Sequence, residues 1–316
     1  MPEKLQGGNK LKYTIVVPCL NEEGNIEEIY QRVKNVMEPF NFELLFVNDG
    51  STDKTLECIK TIRLKDRRVK FLSFLTNYGH QRALFAGLHF SRHEFVITMD
   101  ADLQHPPEFI PELIMAQQNT NAHVVAGRRR GSQKGFLKNF FSETFYRIFE
   151  WTTGYNLQPG LSDFRLYTRK AVDILCSIRE QEPFLRGMTS SLKLKVSMLH
   201  YDVQDRYSGV SSYSFEKSLR MAITALFRFS DFPVKLGILF GISGILLSLA
   251  QALHYLYLRF FTNELIPGQA DLMVFLGLIS SAILVQLSLL VRLNLQIMDA
   301  QRCQPVYIID EKGIDE

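Results

Sequence analysis

The chain has 316 residues with a 46% hydrophobic content, enough for a sizeable core in one large domain or in one domain with an accessory region. A formal net charge of +3 argues against strong attraction of nucleic acid by the surface as a whole and leaves only local basic clusters to consider. Cys19, Cys58, Cys176 and Cys303 are scattered without a CxxC pair, which argues against a zinc site or a disulfide framework and fits a reducing compartment.

The opening stretch "MPEKLQGGNKLKYTIVVP" holds no apolar run long enough for an export signal before the first strand-like segment. "YTIVVPCL" predicts a strand, and "EEGNIEEIYQRVKNVMEPF" an amphipathic helix with Ile26, Ile29, Val33 and Val36 at helical spacing. "FELLFVNDGS" predicts a second strand ending in turn chemistry. "TDKTLECIKTIRLKD" then predicts a helix with Thr52 or Ser51 as its N-cap. "VKFLSFL" predicts a third strand, and after "NYGHQRALFAGLHFSR" the stretch "EFVITMDADL" predicts a fourth. This β-α-β-α-β-α-β order gives an α/β fold, a mainly parallel open sheet with helices on both faces. Such sheets bind ligands at the carboxyl ends of their strands, near the point where strand order reverses. Three strand ends carry acid or amide residues, in "PCLNEE", "NDGS" and "DADLQ", and should converge on one crevice.

The stretch "FVITMDADLQHPPEF", residues 95–109, is the most informative. In extended backbone, residues two apart face the same side, so Asp100 and Asp102 should both face the crevice. Their mutual repulsion calls for a cation, and hard divalent ions commonly pair one or two carboxylates with substrate phosphates. Gln104 adds an amide oxygen, and Pro106 and Pro107 stiffen the loop beyond. A D-x-D alone reads equally as a solvated turn; its place behind "FVIT", with two other acid-bearing strand ends, favours a metal and diphosphate site. Asp49 reads either as an acceptor for a base or ribose or as a turn or helix cap, with Gly50 permitting a tight turn. His80 and His105 lack metal-ligand spacing and read as loop hydrogen-bonders, and Cys19 as a small packed residue.

Further on, "GRRRGSQKGFLK" is dense in Arg and Lys and suits phosphate recognition and anionic headgroups. "NFFSETFYRIFEW" presents an apolar helix face for a membrane surface or for ordinary core, which makes nucleic acid a poor partner. In "SFEKSLRMAITALFRFSDFP", Leu219, Ile223 and Phe227 share one face while Lys217, Arg220 and Arg228 supply basic ends, as in an interfacial helix. The runs 234–258 and 272–293 carry one charge each, near their outer ends, and match the ~20 residues a helix needs to cross a bilayer. Lys217, Arg220, Arg228 and Lys235 before or at the start of the first run and Arg292, Arg302 and Lys312 at or beyond the end of the second predict that both ends are cytoplasmic. The expected layout is a cytoplasmic domain at 1–213, an interfacial connector at 214–233, a two-helix transmembrane hairpin at 234–293 and a cytoplasmic tail at 294–316, all at an inner membrane.

Four motifs in order, "VVPCLNEEGNI", "FVNDGSTDKT", "NYGHQRALFAGL" and "MDADLQHPPE", resemble the core of glycosyltransferase family 2. The hairpin resembles the branch that uses polyprenyl phosphates, which includes dolichol-phosphate mannose synthases and bactoprenol glucosyltransferases, and the similarity runs from about residue 12 to about residue 293. The resemblance implies a Rossmann-like GT-A fold, a UDP- or GDP-sugar donor, Mg²⁺ or Mn²⁺, and inverting transfer of one sugar to undecaprenyl or dolichyl phosphate. It also implies contact with membrane lipids and a homo-oligomer, as in tetrameric relatives. By resemblance, Pro18, Leu20, Glu22, Val47 and Asp49 hold the nucleotide. Asp100, Ala101, Asp102 and Gln104 serve the diphosphate and metal, with Asp102 counted among the catalytic groups. Arg128, Lys138 and Ser142 match acceptor-phosphate residues, and Arg206, in "RYSGVSSYSFEK", matches an arginine that contacts the phosphates of both substrates.

Asp163, in "LSDFRLYTRK", matches an aspartate proposed as catalytic base. A phosphate monoester, with a second pKa of about 6, is already largely dianionic at neutral pH, so positioning is an equal role for Asp163. Two departures stand out. Ser212, in "GVSSY", replaces a lysine common in relatives, which bears on donor identity, and "VRLNLQIMDAQRCQPVYII" lacks a Gly-Glu-Tyr pattern often found after the second span. A processive polysaccharide synthase would carry a Q-x-x-R-W segment and more spans, whereas the only tryptophan is Trp151 in "FEWTTG". An inactive membrane-tethered scaffold is disfavoured by the intact Asp100, Asp102 and Asp163.

Overall fold

The computed structural model describes residues 11–129, 161–178, 183–202, 232–261, 269–301 and 305–314. Lys138, Ser142, Trp151, Arg206, Ser212 and the connector up to residue 231 lie outside the described residues. The chain divides into two compact units, one built on a sheet and one on two long helices.

The sheet unit begins with β1 (Lys12–Cys19), α1 (Ile26–Met37), β2 (Asn41–Asn48), α2 (Thr55–Lys65), β3 (Val69–Phe74), α3 (His80–Phe90) and β4 (Phe95–Thr98). These are the four strands and three helices expected from the hydrophobic periods. A 3₁₀ turn (Pro107–Phe109), α4 (Ile110–Thr120), β5 (Val124–Arg129), β6 (Leu161–Thr168), α5 (Arg169–Ser177), α6 (Leu185–Ser191) and β7 (Val196–Tyr201) follow. The sheet has eight strands in the order β7-β5-β6-β4-β1-β2-β3-β8, where β8 is Ile309–Gly313. β6 and β8 run against their neighbours, and the remaining pairings are parallel.

Successive strand residues face opposite sides of a sheet. Ile15, Val17, Leu44, Phe46 and Phe71 accordingly pack on the face covered by α1, α2 and α4, whereas Val16, Leu45, Val47 and Leu72 pack beneath α3 and α5. Both faces being covered, these strands read as nearly continuous apolar runs. Gly87 lets α3 lie close on β1, since a Cβ there would stand 2.1 Å from Val16 Cγ1.

The order reverses between β1 and β4, because β2 and β3 extend the sheet to one side of β1 and β4 returns to the other. The loops that leave β1 and β2 interlock at this edge. Asn21 N–H donates to Ser51 Oγ at 3.0 Å, Thr52 N–H to Asn21 Oδ1 at 2.9 Å, and Glu22 N–H to Thr55 Oγ1 at 2.8 Å. These bonds displace the expected helix cap. Ser51 and Thr52 are tied to Asn21, and α2 begins only at Thr55, whose N–H and hydroxyl donate to Asp53.

The second unit holds α7 (Phe232–Phe261) and α8 (Gln269–Gln301). Within them Val234–Leu258 and Leu272–Leu295 are long and apolar enough to cross a membrane. Gly237, Gly241, Gly244 and Gly277 let the two helices approach, a Cβ on Gly244 falling 2.3 Å from Ser281 Oγ and one on Gly277 2.4 Å from Ser248 Oγ. The chain then re-enters the sheet unit as β8, a strand within the segment read from sequence as a tail. It lies antiparallel to β3, with Lys60 paired to Glu311 and Tyr307 stacked on Phe74.

Candidate active site

The register of β4 against β6 assembles the site. Thr98 stands opposite Arg165, so two residues further along this antiparallel pair Asp100 reaches the level of Asp163. Thr98 Oγ1 donates to the Asp163 carbonyl, fixing the relation of the two strand ends. Arg128, paired with Leu161, brings the end of β5 to the same edge.

The side chain of Asp163 is 6% exposed, and both of its oxygens are engaged. Arg186 Nε donates to Oδ1 and Nη2 to Oδ2, each at 2.8 Å, and Gln81 Nε2 donates to Oδ2 at 3.0 Å. His80 Nε2 lies 3.7 Å from Asp163 Oδ2 and 3.4 Å from Asp100 Oδ1, bridging the two carboxylates. Burial alone would raise the pKa of Asp163; the Arg186 charge, joined by His80, outweighs it and holds the carboxyl well below its ordinary value. Desolvation opposes charge on His80, but Asp163 and Asp100 prevail and raise its pKa.

Asp102 lies in a turn rather than in extended backbone. β4 ends at Thr98, Leu103 takes a φ of +59°, and Asp102 Oδ1 accepts the Gln104 N–H at 3.1 Å. The strand-alternation argument therefore fails for Asp102, because the chain has left the sheet two residues earlier than the apolar pattern implied. His105 braces this turn from below. It is wholly buried, stacked on Phe164 and edge-on to Tyr201, and its Nδ1 accepts the Asp100 N–H at 3.0 Å. The ring proton therefore sits on Nε2, which lies 3.5 Å from Asp100 Oδ2.

Asp100, Asp102 and Gln104 suit a hard cation. Asp100 Oδ1 is buried and accepts no hydrogen bond of good geometry, the His80 ring at 3.4 Å being its cationic neighbour, which leaves acceptor capacity a metal would take up. Among the described residues no three His, Cys, Asp or Glu side chains are spaced to hold a metal by themselves.

Among the residues assigned to the nucleotide, Leu20 is 42% exposed at the end of β1 and Glu22 is partly exposed beside it. Pro18, Val47 and Ala101 are buried. Asp49, 3% exposed, turns its carboxylate to the loop after β3, accepting the Tyr78 N–H at 2.7 Å and the Gly79 N–H at 2.9 Å. Burial raises its pKa despite these two donors. Gly50, at φ +70°, lets that turn pass the Thr76 backbone, where a Cβ would sit 2.5 Å from the carbonyl carbon.

The structure adds Gln81 and Arg186 to the residues of the site and gives His80 and His105 definite partners. "GHQ" at the start of α3 carried a local signal in its glycine, which takes a φ of +98° just before the helix. Arg186 carried none, since its partner is 23 positions away.

Comparison with known proteins identifies the family. A family model described as glycosyl transferase family 2 matches residues 14–175. The uncharacterized glycosyltransferase YkcC of Bacillus subtilis is 36% identical over 311 residues, covering 96% of this chain and 95% of that protein. The bactoprenol glucosyl transferase of Shigella phage SfV is 33% identical over 234 residues, covering 73% of this chain and 76% of that protein. The crystal structure of a mycobacterial protein shares the fold with a TM-score of 0.50 at 21% identity, over 72% of this chain and 78% of that one. With that matched domain and relatives spanning nearly its whole length, the chain belongs to glycosyltransferase family 2, a glycosyltransferase of GT-A fold followed by two helices long and apolar enough to cross a membrane.

Proposed function

We propose that this glycosyltransferase moves one sugar from a UDP- or GDP-sugar to a polyprenyl phosphate at the cytoplasmic face of an inner membrane, with inversion at the anomeric carbon. The observation that carries the reading is the meeting of the Asp100–Gln104 turn with Asp163, Arg186 and Arg128 at one sheet edge. It offers places for two phosphate-bearing substrates. The apolar hairpin and the similarity to a bactoprenol glucosyl transferase support a lipid acceptor.

Asp100, Asp102 and Gln104 would hold Mg²⁺ or Mn²⁺, which when bound neutralises charge developing on the departing diphosphate. Leu20 and Glu22 border the nucleotide, and Asp49 orders the loop beside it. An acceptor phosphate oxygen attacks the anomeric carbon from the face opposite the diphosphate, and the bond to the diphosphate oxygen breaks with its electron pair leaving on the nucleotide. Arg128, with Lys138, Ser142 and Arg206, holds the acceptor phosphate.

Pairing of β8 with β3 supports the membrane topology. Both ends of the hairpin join one folded unit, so two crossings would return the chain to the side it left, and the flanking Lys and Arg support a cytoplasmic side. In this reading residues 1–213 form the catalytic domain, 214–233 the interfacial connector and 234–293 the transmembrane hairpin, assembled as a homo-oligomer.

The test is a panel of UDP- and GDP-sugars with the full-length protein in nanodiscs, a short polyprenyl phosphate and Mg²⁺ or Mn²⁺. One donor should release nucleoside diphosphate in step with lipid-linked sugar. Release at the same rate without acceptor would remove the reading.

A further inference from the structure

Asp163 is placed where a catalytic base would be sought, yet its surroundings suit another task. A carboxylate offers about four lone-pair directions. Here Arg186 takes one on each oxygen and Gln81 a further one on Oδ2, with His80 set against the same oxygen. The cationic groups around it are Arg186 from α6, His80 from α3 and Arg165 from its own strand, and the Asp100 carboxylate of the neighbouring strand end stands on the other side of His80. To take a proton Asp163 would have to surrender a nearly buried, two-pronged ion pair, a costly step in a site of low dielectric.

Arg186 is the more exposed partner, with 33% of its side chain open against 6% for Asp163. Its guanidinium is planar, and two bonds to one carboxylate fix that plane. A fixed guanidinium meets phosphate oxygens with little further loss of freedom. The acceptor of the proposed function is a phosphate dianion that brings its own electron pair, so transfer forms one carbon–oxygen bond, breaks another and releases no proton.

We propose that Asp163 is a positioning residue whose carboxylate aims Arg186 at a phosphoryl oxygen of the substrates, and that it accepts no proton during transfer. This rests on the proposed function and adds to it a phosphate-binding residue, Arg186, supplied by α6. The phosphoryl oxygen belongs either to the donor diphosphate or to the acceptor, and kinetics separate the two.

Initial rates are measured with the full-length protein in nanodiscs for wild type, Asp163→Asn, Arg186→Gln, Arg186→Lys and the double variant Asp163→Asn/Arg186→Gln. Arg186→Gln should raise the KM of one phosphate substrate about tenfold, and the substrate affected, donor or acceptor, identifies the source. Asp163→Asn should raise the same KM, the double variant should be no worse than Arg186→Gln, and the acid limb of the kcat profile should keep its wild-type shape in Asp163→Asn. Loss of that acid limb with both KM values unchanged would make Asp163 the base and overturn the proposal; wild-type KM values in Arg186→Gln would do the same. Should Arg186→Gln fail to fold, Arg186→Lys keeps the charge without the two-pronged geometry. It should shift the same KM, and an unshifted value counts against the proposal equally. A wild type without acceptor-dependent turnover defeats the proposed function itself, whereas an active wild type with either overturning result defeats only this inference.

Discussion

His105 shows how much one side chain beneath a site can contribute. Its ring fills the space between Phe164 and Tyr201 while its Nδ1 satisfies the Asp100 amide. Replacement by alanine opens a cavity and leaves a buried N–H without a partner, so His105→Ala should lose about 2–4 kcal/mol of stability, read by denaturant unfolding. The Asp100 carboxylate loses its brace in the same variant. The divalent-ion concentration for half-maximal turnover should therefore rise, while Asn at 105, whose amide oxygen can accept the same N–H, should recover part of both losses. Equal stability of wild type and His105→Ala would show that the ring is not the support described here.

At the scale of elements, legibility followed locality. β1 to β4 were readable because their alternate residues are buried on two covered faces, and α1 because Ile26, Ile29 and Val33 recur along one stripe. β6 was quoted as a motif and not as a strand, since "LSDFRLYT" interrupts its apolar residues with Asp163 and Arg165, both buried at the site end. β8, "IDEKG", has no apolar period at all and is a strand only because β3 offers an open edge. The turn at Asp102 depended on a left-handed Leu103, a conformation that a leucine does not announce. In the hairpin, hydropathy revealed the two helices but not the seam of glycines facing serines. Gly244→Val should lower the melting temperature of the nanodisc-embedded protein by several degrees, because its side chain meets Ser281, whereas Leu247→Val on the outward face should leave it near wild type. Equal melting temperatures for the two variants would remove the seam as a packing contact.

For the whole molecule, the decisive fact is that the sheet is built from segments on both sides of the hairpin. Leu75 N–H donates to the Ile308 carbonyl at 3.0 Å, and Tyr307 stacks on Phe74, which also meets Tyr78 edge to face. Tyr78 and Gly79 in turn supply the amides that hold Asp49. Ending the chain after Gln301 should therefore expose the β3 edge, promote aggregation and raise the donor KM several-fold, with a smaller change in acceptor KM. Steady-state kinetics and light scattering on the purified variant check this, and a donor KM equal to wild type would show that β8 is ornamental to the site.

This layout also orders events on the ribosome. Strands β1 to β7 emerge first, but β8, the second partner of β3, is translated only after both apolar helices, so the sheet stays incomplete until the whole hairpin has been made. A nascent chain that stalls before Ile309 carries an unpaired outer edge on β3, and only a molecule whose two long helices have both been made can close its sheet.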